Sequence, residues 1–205
     1  MLWVDGIVCV AAESRRGDAG SGGGRGFDQT ARTKIDHEGE TVMKDTYKVL
    51  FLCTGNSARS IMAEAIMNLR GGPRFRAYSA GSHPSGKVRP EALQELEAAN
   101  LPTAGARSKS WDECAQPGAS VMDFVFTMCD NAAKEVCPLW SGQPMTAHWG
   151  IPDSAAVIGT PDKVQRPFRE AFVALDRRIG LFLSLPLQSL DRLAIQKEID
   201  HIGKQ

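Results

Sequence analysis

No charge of either sign prevails in this chain. Its 205 residues carry 24 Lys and Arg against 24 Asp and Glu. The overall charge therefore points to no nucleic acid and no membrane surface as a partner, and any preference for anions must be local. No stretch approaches the run of about eighteen apolar residues that a membrane span needs. Cysteine is sparse and unpatterned. Cys9, Cys53, Cys114, Cys129 and Cys137 make an odd five, with no CxxC pair and no zinc-ligand spacing. That argues against a disulfide-stapled secreted scaffold and for reactive or buried thiols in a reducing cytoplasm. No metal and no cofactor are expected. The opening MLWVDGIVCVAAESRR lacks the basic start of a signal peptide, and Asp5 interrupts its short apolar stretch. Internal repeats are also missing.

Apolar periodicity is absent from the first 45 residues, where RRGDAGSGGGRG is polar and glycine-rich. The expectation there is a disordered extension or an over-called start ahead of Met43. The folded domain is expected over 46–205, a length suited to one α/β unit with a real core.

What is present begins at Tyr47. YKVLFLC is a compact β-branched and aromatic run of the kind that forms a buried parallel strand. Ile61, Met62, Ala65, Ile66 and Leu69 then recur at helical spacing, and Gly71–Gly72 ends that helix. RFRAYSAG predicts a second strand, RPEALQELEAAN a second helix, MDFVFTMC a third strand and TAHWG a short fourth. Val164, Phe168, Phe172, Leu175, Ile179 and Phe182 mark one face of a long helix, bent at Pro167 or starting late because of it. A last helix follows Pro186. Alternating strands and helices imply a single open parallel sheet of about four strands with helices on both faces. Ligands of such sheets bind beyond the carboxyl ends of the strands, at helix amino termini.

CTGNSARS, residues 53–60, occupies that position. Five residues separate Cys53 from Arg59. A strand-to-helix loop of this length can wrap the backbone N–H groups of Thr54, Gly55, Asn56, Ser57, Ala58, Arg59 and Ser60 around one tetrahedral oxyanion, and the helix dipole adds positive potential there. Gly55 and Asn56 are residue types that tolerate positive φ. Arg59 can hold two anion oxygens in a fork. The same field favours the thiolate of Cys53, to which Ser60 can donate, and predicts ionisation below the ordinary thiol range of about 8.5. The alternative is a buried structural cysteine beside a simple turn.

The segment VLFLCTGNSARSIMAEAI resembles the phosphate-binding loop of the low-molecular-weight protein tyrosine phosphatases and the related thiol-dependent arsenate reductases. The resemblance continues through YSAGSHP, RSKSW, FVFTMCDNAAKEVCP and AHWGIPD, so it covers the chain from about Tyr47 onward. It implies the phosphotyrosine protein phosphatase I-like fold, with Cys53 as nucleophile, Arg59 as oxyanion clamp and Asp153 as the acid that protonates the departing oxygen. Taken singly, Asp153 reads as a turn or cap residue after Pro152, Cys129 as a core thiol and Cys137 as a surface bystander. Within the resemblance Cys129 and Cys137 become a thiol relay that carries two electrons to arsenate, and thioredoxin or a comparable thiol carrier becomes the partner.

The implied activity is arsenate reduction; the alternative is hydrolysis of aryl phosphates through a phosphocysteine. Ser154 and two alanines follow Asp153, where phosphatases acting on tyrosine carry aromatic residues and relatives commonly have proline. Asn56, Glu64 and Ser79 resemble a potassium site of some reductases, and the remaining position of that site is Lys109, whose ammonium either stands in for the ion or is a solvated surface charge. Cys114 is expected to be a small buried hydrophobe, and His148 and Trp149 to pack behind the Asp153 loop.

Overall fold

The computed structural model describes residues 46–129, 140 and 142–205. The expectations for residues 1–45 and for Cys137 lie outside the described residues. YKVLFLC forms β1 (Tyr47–Cys53), which pairs in parallel with β2 (Phe75–Gly81) and with β3 (Phe124–Thr127). Parallel to β3 runs β4 (Met145–His148), so the sheet order is β2-β1-β3-β4. The helices are α1 (Arg59–Arg70), α2 (Pro90–Ala98), α3 (Asp112–Ala115), α4 (Pro161–Leu183) and α5 (Arg192–Gly203).

Alternation along β1 divides the core. Val49, Phe51 and Cys53 face the larger cluster, which collects the apolar sides of α1, α2, α4 and α5; Leu50 and Leu52 face a smaller one with Val125, Met122, Trp111 and Cys114. Helices thus lie on both faces of the sheet, unevenly. Among the described residues the second face carries the single turn of α3, the coil that follows it and Trp140. No described helix is long and apolar enough to cross a membrane.

Helix α1 stops at Gly71, and Gly72 turns the chain with φ +55°. Helix α4 does not start late. It begins at Pro161 behind Thr160 and runs 23 residues with Pro167 inside it. Pro167 has no N–H for the Lys163 carbonyl, a loss tolerated early in a helix whose later turns are anchored by Phe168, Leu175, Ile179 and Phe182.

One aromatic contact positions the functional end of the sheet. Trp149, the first residue past β4, is fully buried and stacks on Phe126 with ring centroids 4.0 Å apart. Its indole N–H donates to the Ile199 carbonyl of α5 at 3.0 Å. Both halves of the side chain are therefore satisfied, the ring by packing and the N–H by a partner. The segment after β4 leaves the sheet from a fixed point.

Candidate active site

Cys53 ends β1, residues 54–58 form the loop, and α1 starts at Arg59. The helix N-cap is Ala58, which has no side-chain cap. Serine, threonine or aspartate at that position would engage the first helical N–H groups; alanine leaves them to a ligand. The loop's carbonyls turn the other way. Those of Cys53, Thr54, Gly55 and Ser57 accept from the backbone N–H groups of Ser82, His83, Ser85 and Arg89 at 3.3, 2.9, 2.9 and 2.8 Å. The continuation of β2 thus braces the outside of the loop, along its whole length. Gly81 makes the close approach possible, since a Cβ there would stand 2.5 Å from the Thr54 carbonyl oxygen. Positive φ falls on Asn56 alone of the two candidates, at 41°. Gly55 does not adopt it, and a Cβ there would meet only Ser57 Oγ, at an ordinary 3.6 Å.

Cys53 is 4% exposed. Its sulfur accepts from the Asn56 N–H at 3.1 Å and lies 3.0 Å from Ser60 Oγ. The side chain of Asn56 sets the direction of every proton behind it. Asn56 Oδ1 accepts from the Lys109 N–H at 2.6 Å, so Nδ2 must face Ser60 Oγ and Ser79 Oγ, to which it donates at 2.9 and 3.0 Å. Ser79 passes its own proton to Glu64 Oε2 at 2.5 Å. Ser60, already accepting from Asn56, has its proton free for the Cys53 sulfur.

Lys109 closes the array, with Nζ 3.1 Å from Glu64 Oε2. The four positions that resemble the potassium site of some reductases do converge, and the lysine ammonium is on the glutamate. Among the described residues no group of three or more His, Cys, Asp or Glu side chains could hold a metal ion.

Burial pushes the Cys53 thiol up, while the Ser60 hydrogen bond, the Asn56 N–H and the Arg59 charge pull it down. The low pKa expected from the helix end is thus reversed by enclosure. The aim of Arg59 adds to this. Its Nη1 donates to the Ile151 carbonyl at 2.7 Å and its Nη2 to Asp153 Oδ1 at 3.0 Å, so both arms of the fork reach across to residues 150–153, termed the acid loop after the role the resemblance implies for Asp153.

Asp153 is accordingly over the cradle. It also accepts from the Ala155 N–H at 3.3 Å, capping the short 3-10 turn Ser154–Ala156, so the cap reading of this residue holds beside its place at the site. The acid loop is tied from below as well, through the Ile151 N–H to the Met128 carbonyl at 3.1 Å. A Cβ at position 150 would stand 2.5 Å from Nε2 of His148, so a larger residue there requires that ring to move.

Cys129, two residues past β3, is half-buried, and its sulfur lies 3.5 Å from Thr54 Oγ1. Cys53, Arg59, Asp153 and Cys129 are thus brought together. Cys114 is on the opposite face of the sheet, where burial pushes its thiol up. Thr54, Gly55, Ser57, Arg59, Cys129, His148, Gly150, Ile151, Pro152, Asp153, Ala155 and Gly203 line a cavity of about 750 Å³. No Phe, Tyr or Trp is among them. The brace at Ser82–Arg89 and the demand for glycine at 81 depend on backbone approach, for which the motif YSAGSHP is the signal in the sequence.

The sequence profile of the family described as low molecular weight phosphotyrosine protein phosphatase matches residues 48–192. The chain belongs to that family. Among members of known name, the arsenate reductase of Halalkalibacterium halodurans is 34% identical over 134 residues, which is 65% of this chain and 93% of that protein. A solved arsenate reductase in the phosphate binding state has a TM-score of 0.55 at 26% identity, over 68% of this chain and 98% of its own. The solved low molecular weight protein tyrosine phosphatase from T. tengcongensis shares the fold, with a TM-score of 0.50 at 24% identity, over 66% of this chain and 96% of its own. Reductases and hydrolases thus share this fold.

Proposed function

We propose that the protein is an arsenate reductase that works through a thiol–disulfide relay. Cys53 thiolate attacks the arsenic of arsenate held by the loop N–H groups and Arg59, and the displaced oxygen departs with a proton from Asp153. Cys129 thiolate then attacks the Cys53 sulfur. A disulfide forms between the two, and the sulfur–arsenic bond breaks. Its electron pair stays on arsenic, which leaves as arsenite, reduced from As(V) to As(III). Cys137 captures Cys129 in turn, which frees Cys53 and leaves a Cys129–Cys137 disulfide. Thioredoxin or a comparable dithiol carrier reduces it.

The observation that carries this reading is the second thiol. Hydrolysis needs Cys53, Arg59 and Asp153 only, yet Cys129 lines one cavity with Arg59 and Asp153, beside the hydroxyl of the residue next to Cys53. The names of the relatives point the same way, the H. halodurans protein being an arsenate reductase. A cavity wall without Phe, Tyr or Trp among the described residues suits a small inorganic oxyanion better than a phenyl ring. The complete set of Cys53, Arg59 and Asp153 supports slow aryl-phosphate hydrolysis as a second activity.

The test is oxidation of NADPH by the full chain with arsenate, thioredoxin and thioredoxin reductase. The wild type turns over. Cys129→Ser and Cys137→Ser lose steady arsenate turnover and keep phosphatase activity, and Cys53→Ser loses both. Full arsenate turnover by Cys129→Ser overturns the relay. Rapid aryl-phosphate hydrolysis without arsenate-dependent NADPH use establishes the phosphatase instead.

A further inference from the structure

Three successive links hold the acid loop, and two of them come from elements outside the cradle. The Gly150 carbonyl accepts from Arg178 Nη1 of α4 at 3.0 Å, the Ile151 N–H donates to the Met128 carbonyl at 3.1 Å, and the Ile151 carbonyl accepts from Arg59 Nη1 at 2.7 Å. The third link and the Arg59–Asp153 ion pair both depend on one guanidinium. A bidentate hold on a tetrahedral oxyanion needs that same fork. As Arg59 turns to the anion, the loop loses those two contacts at the moment Asp153 is needed.

Arg178 fits the remaining duty and has no other. It sits among Leu175, Ile179 and Phe182 on the apolar face of α4 and is only 9% exposed. Its Nε is buried without a partner, and no ion pair joins it to a carboxylate among the described residues. Burial pushes its pKa down, with the charge of Arg177 adding to the effect. An apolar residue would pack there without any of this penalty. The donor contact it makes is to the loop that carries Asp153 three residues on.

We propose that Arg178 is the positioning residue that keeps Asp153 over the cradle when Arg59 engages the oxyanion, an inference that rests on the reading of Asp153 as the acid. It acts through the Gly150 peptide and touches no reacting atom. Its removal therefore slows a step that needs the acid's proton and spares a step that does not.

The experiment compares Arg178→Met and Arg178→Lys with Asp153→Asn in the full chain, using two aryl phosphates. Phenyl phosphate needs a proton on its leaving oxygen, and dinitrophenyl phosphate leaves without one. Arg178→Met is expected to slow phenyl phosphate cleavage on the order of 100-fold, as Asp153→Asn does, and dinitrophenyl phosphate cleavage only a few fold. Arg178→Lys recovers most of the loss. Thermal stability of Arg178→Met stays at or above that of the wild type, because a buried unpaired cation is gone.

Equal slowing of both esters, or of neither, overturns the proposal. Amide hydrogen exchange with inorganic phosphate bound needs no turnover: Arg178→Met exchanges faster over residues 149–155 and not over α4, and unchanged exchange there overturns the proposal as well. A wild type inactive on both esters and on arsenate sinks the acid assignment and leaves the exchange result to decide the role of Arg178.

Discussion

The sulfur of Cys129 stands 3.5 Å from the hydroxyl of Thr54, one residue beyond Cys53 in the chain. That hydroxyl can donate to a thiolate at the point where it must form and hold it facing the loop. Thr54→Val keeps the shape and removes the donor. A hydrogen bond to a charged group is worth about 1.5–3 kcal/mol, so arsenite release in a single turnover should slow by roughly 10- to 100-fold. Aryl-phosphate hydrolysis, which does not pass through Cys129, should fall less. An equal loss in both reactions would place the effect in the cradle and not at Cys129.

Ser60 stabilises the deprotonated form of Cys53, so its removal raises the pKa of that thiol. In Ser60→Ala the rate of Cys53 alkylation by iodoacetamide should climb at higher pH than in the wild type, by about one to two units. The sign is fixed by the direction of the Asn56 amide, which leaves the Ser60 proton nowhere else to point. A shift to lower pH contradicts this wiring. Asn56→Ala should shift the curve the same way, having lost both its N–H geometry and the serine's orientation.

Lys109 neutralises Glu64 beneath the loop, and both side chains are largely shielded from water, at 14% and 24% exposure. Lys109→Met leaves the carboxylate without a cation and should lower stability by about 1–3 kcal/mol, below the full cost of breaking a buried pair. Potassium chloride should restore part of the melting temperature in this variant more than choline chloride does, and should do little for the wild type. No difference between the two salts in Lys109→Met would mean that the site accepts no ion in the lysine's place.

Gly81→Ala tests the brace. The added Cβ meets the Thr54 carbonyl at 2.5 Å and the Asn56 N–H nitrogen at 3.0 Å, both backbone atoms that cannot step aside independently. The loop must move or the chain must lose stability, by about 1–3 kcal/mol for an overpacked site. Calorimetry together with inorganic phosphate affinity measures the two outcomes. A variant unchanged in both would show that the loop is softer than its contacts suggest.

Strand β1 and helix α1 are readable in the sequence because their signals are side-chain patterns: an unbroken apolar run, then Ile61, Met62, Ala65 and Ile66 at helical spacing. The loop between them is readable because Cys, Gly-Asn and Arg at that spacing suit few other purposes. Arg178 is not readable. In sequence it is one of two adjacent arginines on a charged helix, and its burial follows only from where α4 passes behind the acid loop. The aim of Arg59 is hidden for the same reason, since its partners Ile151 and Asp153 lie more than ninety residues away. The thiol pKa went the other way because spacing conveys the helix end and its dipole but not how closely the sulfur is enclosed.

The brace from Ser82 to Arg89 means that the chain itself, and not the guest, sets the curvature of the cradle. The backbone of such a receptor is set before binding and spends little on ordering, while Arg59 has still to turn from Ile151 and Asp153 to the anion. It also has little means of rejecting a tetrahedral ion of nearly the same radius and charge. If the proposed relay operates, phosphate and arsenate compete for one seat, and discrimination passes from recognition to reactivity: the thiols can strip two electrons' worth of oxidation from arsenic and none from phosphorus. On the proposed relay, the ratio of the two ions then sets the rate of turnover wherever phosphate is abundant.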